Sequence, residues 1–202
     1  MKYNGQVRMN VIKSTAEILA FKALNRNIYK KHFDWAVDML MAGFDTDNLR
    51  ILAGESEPLN QFYAQELVDK IFCELNLDYS NKDEIIKDYA LFLIEKSLNG
   101  EIDDFRVLNI LKDICVELDY ADYLYDFYLL FYAKEDFSYS EYQCYWNKNN
   151  LTKENIDEFI NIYFRNYLNG IETPTDVELP IMIHIPLWKK WLKNLFKNNK
   201  ND

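Results

Sequence analysis

Apolar residues recur every three to four positions in a succession of short stretches, and glycine closes several of them. This is the 3.6-residue period of helices that bury one side. Ile18, Leu19, Phe21 and Leu24 predict a first helix over 15–24, able to run on to Lys31. Ser14-Thr15-Ala16-Glu17 before it has capping-box spacing, with the Ser14 hydroxyl accepting from the Glu17 N–H and the Glu17 side chain reaching back. Trp35, Ala36, Met39 and Leu40 predict a second helix over 33–42, and Gly43 stands where a left-handed C-terminal stop is wanted. Asp45, Thr46 and Asp47 offer caps to a short third helix through Leu49, Ile51, Leu52 and Ala53, ended by Gly54. Pro58 suits the first turn of a long helix over 58–76, with Leu59, Phe62, Tyr63, Leu67, Ile71 and Leu75 on one face.

The second half repeats the pattern. Ser80 and Asn81 open a helix to about 98, stopped by Gly100, and Asp103 caps another over 104–118. Residues 120–133 are apolar almost all round, which predicts a central helix buried on most sides. Residues 134–150 read as irregular and tyrosine-rich. Thr152 then caps a helix through Ile156, Phe159, Ile160, Tyr163, Phe164 and Tyr167, ended by Gly170. Pro174, Pro180 and Pro186 punctuate the chain beyond Gly170. Ile181 to Ile185 suits a short extended segment, and Pro186 opens a basic helix with Trp188, Trp191, Leu195 and Phe196 on one face, expected to dock on the body. No segment shows five clean strand-type alternations. The fold class is all-α: a bundle of about eight to nine helices in antiparallel hairpins, with a solenoid-like stack as one form of it. Residues 1–170 form the helical domain, and 171–202 a proline-punctuated C-terminal segment docked on it.

An internal echo bears on the solenoid form. Asp47-Asn48-Leu49-Arg50-Ile51-Leu52 resembles Asp103-Asp104-Phe105-Arg106-Val107-Leu108, each after a helix-ending glycine. Leu98-Asn99-Gly100 likewise resembles Leu168-Asn169-Gly170. Either capping rules alone produce these matches, or they are remnants of stacked hairpins.

Composition supports helices: five Gly and four Pro in 202 residues are too few for the turns of a sandwich or barrel. Aromatics are 16% of the chain, enough for a core of large rings or for an aromatic contact surface. The charge layout narrows the partners. Residues 1–31 carry seven Lys/Arg against one Glu, 32–185 carry 11 against 31 acids, and 186–202 carry five Lys against Asp202. An acidic body between basic ends repels nucleic acid and steers a basic protein towards itself. Cys73, Cys115 and Cys144 form no paired motif, so buried free thiols in a reducing cytoplasm are expected. There is no signal-peptide run and no stretch of 18 apolar residues, so no stable membrane insertion is expected, and the sequon at Asn150 is incidental.

Candidate chemistry is sparse. The two histidines belong to no ligand pattern: His32 reads as exposed beside Lys30 and Lys31, and His184 as structural in an apolar run. Phosphate-binding glycine motifs, nucleophile elbows and Glu-x-x-His pairs are missing from the sequence, so no enzyme, metal or cofactor is expected. Asp119, Asp122 and Asp126 stand at i, i+3 and i+7, on one face of the tyrosine-rich helix. They begin the strongest interface candidate, from Leu118 to Trp146. Its partner-binding residues are Asp119, Asp122, Tyr125, Asp126, Glu135, Asp136, Tyr139, Glu141, Tyr142 and Trp146, with Tyr145 in the same segment and Tyr120, Tyr123 and Tyr128 expected in the core. Tyrosine supplies contact area at low entropic cost, and carboxylates supply steering and charge-assisted hydrogen bonds.

The segment from Trp35 to about Leu130 resembles a group of uncharacterised all-helical bacterial proteins. The resemblance rests on Ala36-Val37-Asp38-Met39-Leu40-Met41-Ala42-Gly43, on Leu49-Arg50-Ile51-Leu52-Ala53-Gly54, and on Ala90 with Gly100-Glu101-Ile102-Asp103. Some such proteins act as immunity proteins that neutralise polymorphic toxins. The resemblance implies a single helical domain and suggests the immunity role; with the acidic, aromatic face and the missing catalytic motifs, the expectation is a cytoplasmic, non-enzymatic protein that blocks a basic partner. A helical scaffold that takes a peptide or helix in a groove is the other function the sequence admits.

Overall fold

The computed structural model describes residues 12–146 and 150–171. They hold eight helices: α1 (Thr15–Ala23), α2 (Lys30–Met41), α3 (Asp47–Ala53), α4 (Gln61–Glu74), α5 (Lys82–Leu98), α6 (Asp104–Glu117), α7 (Asp122–Tyr139) and α8 (Ile156–Leu168). The expected extended segment at 181–185, the basic helix from Pro186 and His184 lie outside the described residues.

The helix ends follow from local chemistry. Thr46, Asn60, Asn81 and Asp103 each accept hydrogen bonds from the first free N–H groups of α3, α4, α5 and α6. Six helices end alike: the next-but-one residue turns left-handed, and two N–H groups bond back to the last carbonyls. Gly43, Gly100 and Gly170 take this position after α2, α5 and α8, while Asn25, Asn76 and Asp119 take it after α1, α4 and α6.

Several sequence expectations shift. The Ser14 hydroxyl makes no capping bond. Glu17 instead takes Lys31 Nζ at 2.5 Å and the Tyr89 hydroxyl at 3.2 Å. α1 stops at Ala23 because Asn25 turns left-handed, so no helix runs to Lys31. α4 starts at Gln61, capped by Asn60, rather than at Pro58, and its first-turn Phe62 is 91% exposed instead of lying on the buried face. Asn155, not Thr152, stands before α8. α7 continues six residues past 133, because Ala133 and Phe137 keep facing the core. Cys73 and Cys144 are exposed, and of the three thiols Cys115 alone is buried.

The core forms in two masses joined by α1. Trp35, Phe72, Met39, Leu49 and Leu52 fill the first, among α1 to α4. Phe127, Phe159, Phe164, Leu108 and Ile94 fill the second, among α5 to α8. Ile18 of α1 belongs to the first mass, and Ala20 and Leu24 to the second. Each fully buried Leu, Ile or Phe contributes roughly 1.5–3 kcal/mol. Contacts of α1 with α5 and of α5 with α8 close the helices into a bundle, where a strict solenoid joins neighbours alone. The echo between α3 and α6 is slipped by one residue: Thr46 caps three residues after Gly43 and Asp103 three after Gly100, so Asp47 matches Asp104 in structure. Shared capping chemistry accounts for it.

His32 is enclosed, not exposed. α2 begins at Lys30, so its third residue turns inward against Phe21 and Tyr29. Its Nδ1 accepts from the Tyr29 N–H at 3.4 Å, while Nε2 is buried without a hydrogen bond. Burial pushes its pKa down to about 4, against smaller raising effects from the Tyr29 backbone and Glu17.

Candidate functional site

α6 and α7 are joined by a tight reversal in which Asp119 and Tyr120 both adopt left-handed backbone, φ 54° and 60°. Such a conformation costs a residue other than glycine about 1 kcal/mol or more. Two in succession throw Tyr120 outward, where it is 47% exposed. α7 then presents Tyr125, Tyr128 and Tyr132 at spacings of three and four, which places them along one side of the helix. The opposite side carries Leu124, Phe127, Leu130, Phe131 and Phe137 into the core. As expected, most of 120–133 is buried or half-buried; Tyr120, Asp122 and Tyr125 are the exposed residues of that stretch.

The outer rings touch in an unbroken series. Tyr120 meets Tyr128 edge-on at 5.4 Å, and Tyr125 stacks on Tyr128 at 5.6 Å with planes 9° apart. Tyr128 meets Tyr132 at 4.9 Å, and Tyr145 from the segment after α7 stacks on Tyr132 at 5.0 Å. Removal from water raises the pKa of the Tyr128 phenol, as do the neighbouring tyrosines; the same desolvation raises Tyr145, helped by Asp136 and Glu135.

Carboxylates flank it. Asp119 and Asp122 are exposed, Glu135 and Asp136 half-buried. None of the four makes an ion pair or side-chain hydrogen bond among the described residues. Other acids are matched internally: Glu17 with Lys31, Asp69 with Lys22, Asp157 with Lys134. The ladder is thus aromatic, acidic and unneutralised within the described residues.

The candidates separate on this geometry. Tyr125, 41% exposed, Asp122, Glu135 and Asp136 lie on or beside the ladder, and Tyr139, 89% exposed, continues the same side of α7. Asp119 precedes the helix instead of sharing its face. Asp126 accepts from the Tyr163 hydroxyl at 3.1 Å and is turned towards α8. Glu141 pairs with Lys153 at 3.1 Å, and Tyr142 is 83% exposed without a ring contact to the series. Trp146 is not a surface residue: it is buried against Phe159 and Tyr163. Tyr120, expected in the core, is exposed at the end of the ladder, and Tyr128 is half-buried, packing against the core on one side and forming a rung on the other. Tyr123 is half-buried, its hydroxyl donating to Asp83 at 3.0 Å and its ring under Lys87. Tyr132, a central rung, is absent from the sequence candidates, although its seven-residue spacing from Tyr125 is the signal that points to it.

Among the described residues, no group of three or more His, Cys, Asp or Glu side chains is placed to hold a metal ion. No helix among them is long and apolar enough to cross a membrane. Comparison with known proteins finds no matching family, curated protein or solved structure.

Proposed function

We propose that this is a non-catalytic binding protein of the cytoplasm whose tyrosine ladder captures a basic protein, in the manner of an immunity protein against a toxin. The observation that carries the reading is the ladder itself: five tyrosines in continuous ring contact, flanked by Asp119, Asp122, Glu135 and Asp136 without internal cations among the described residues. Tyrosines concentrate binding energy at interface centres, and unneutralised rim carboxylates raise association rates with a cationic partner. The same charge opposes nucleic acid. Free thiols at Cys73 and Cys144 suit a reducing compartment. The enclosed His32 supports the non-catalytic reading, since it is held away from solvent.

The test starts with the product of the adjacent gene and with proteins captured at low salt after nuclease treatment. A captured basic protein is purified, and its affinity is measured against the wild type and a Tyr128→Ala/Tyr132→Ala variant. The reading expects a basic partner, weakened by the variant and by salt. An acidic partner, or affinity indifferent to both changes, counts against it.

A further inference from the structure

One end of the ladder has the form of a cation receptor. A shallow depression there is lined by Tyr120, Asp122 and Tyr125. Its two rings stand 73° apart with centroids 6.5 Å from one another, and Tyr128 backs Tyr125 in a near-parallel stack. Ring faces with a nearby carboxylate attract a cation through the aromatic quadrupole and the charge together.

The protein's use of its own lysines sets these rings apart. Lys22, Lys31, Lys87, Lys96, Lys112 and Lys134 each stand over a ring, respectively Tyr79, Phe21, Tyr123, Phe92, Phe131 and Phe105. Among the described residues no such cation stands over Tyr120, Tyr125 or Tyr128, and Asp122 has no ion-pair partner. The carboxylate at the first residue of α7 is also not used for capping, because Ala121 precedes it and no side chain caps this helix. Independently, the consecutive left-handed residues Asp119 and Tyr120 hold a large ring out of the core at this point. A glycine would relieve the backbone but remove one wall of the depression.

Resting on the reading of α7 as the face for a basic partner, we propose that the Tyr120/Asp122/Tyr125 depression receives one arginine side chain of that partner, its guanidinium stacked on Tyr125 and paired with Asp122. A guanidinium fits better than an ammonium. It is planar, it offers a fork of donors to a carboxylate, and it gives up water more readily on a site this open.

The experiment follows tyrosine-ring and Asp122 amide resonances of the full chain during titration with acetyl-arginine amide. Acetyl-citrulline amide supplies the same shape without charge, and the α-acetyl amide of lysine supplies charge without the plane. Saturable shifts confined to Tyr120, Asp122 and Tyr125 are expected with the arginine probe, with binding about tenfold weaker for citrulline and several-fold weaker for lysine. Asp122→Asn, a surface change that keeps the fold, should weaken the arginine probe about fivefold, and Tyr125→Leu should abolish the response. Shifts that do not saturate, that spread over the acidic body, that survive Tyr125→Leu, or that are equal for citrulline or lysine overturn the assignment. A basic segment of this chain seated in the depression would leave the full chain unresponsive, which also overturns it. If the depression fails while Tyr128→Ala/Tyr132→Ala still loses the purified partner, this inference alone falls. If partner affinity survives that double change, the wider reading falls whatever the probe does.

Discussion

Lowering the pH should destabilise this protein through His32 before it does so through any general acid effect. The ring is enclosed by Phe21, Tyr29 and neighbouring core, and its Nε2 has no hydrogen bond. An imidazolium there would bury a charge; its Nδ1–H could reach the Tyr29 carbonyl at 3.3 Å, while its Nε2–H would still have no acceptor. The folded-state pKa is about 4 against 6.5 for a free imidazole. Between those values the unfolded chain binds a proton that the folded chain refuses, so stability falls as pH drops through that window and is fully retained above it. The gap of about 2.5 pH units, at about 1.36 kcal/mol each, sets a ceiling of roughly 3 kcal/mol. About 2 kcal/mol of it is lost between pH 7 and pH 5. Urea unfolding at several pH values, with His32→Gln as the reference, cancels the carboxylates common to both proteins. The wild type should lose about 2 kcal/mol more than the variant over that range. Parallel curves would refute the reasoning, and so would an imidazole resonance that titrates near 6.5 in the folded protein.

The same geometry sets other outcomes. Asp119→Gly should raise stability by about 1 kcal/mol in urea unfolding, because glycine takes the left-handed stop of α6 without strain. Thr15→Val should cost about 1–3 kcal/mol, since the buried Trp35 Nε1–H donates to the Thr15 hydroxyl at 3.0 Å, while Thr15→Ser keeps that acceptor and most of the stability. Trp146→Ala should cost about 3–5 kcal/mol on thermal or urea unfolding, as expected of a core tryptophan and not of a surface one. A thiol reagent applied to the folded protein should modify Cys73 and Cys144 and spare Cys115 until urea unfolds it.

What the sequence could reveal depended on whether one local rule decided each feature. Gly43, Gly100 and Gly170 were readable as stops because few other roles in a helical pattern suit glycine. Asn25, Asn76 and Asp119 do the same work but were not, since Asn and Asp serve equally as caps and surface residues. The end of α7 lies beyond the apolar stretch 120–133, because Ala133 and Phe137 hold the helical register beneath Lys134, Glu135 and Asp136. His32 went wrong for a related reason: moving the start of α2 to Lys30 decides which way the ring points. The acidic tyrosine-rich stretch was legible as a candidate surface. Its internal sorting was not, because tyrosine suits core and surface alike. Packing against α8 draws Trp146 and Asp126 inward, and the left-handed turn sends Tyr120 out.

We propose above that the ladder on α7 is the surface that holds a basic protein. It is tested most directly by the affinity of the purified partner for the wild type and for Tyr128→Ala/Tyr132→Ala, measured side by side at low and moderate salt. Loss of two central tyrosine rungs should weaken binding at least about tenfold, or 1.4 kcal/mol, at either salt. Both rings are half-buried against the core, so the variant should melt at a lower temperature while keeping the helical signature and cooperative unfolding of a native bundle at the assay temperature. Added salt should weaken the wild type as well, through the flanking carboxylates. A folded variant that binds as tightly as the wild type would contradict the account.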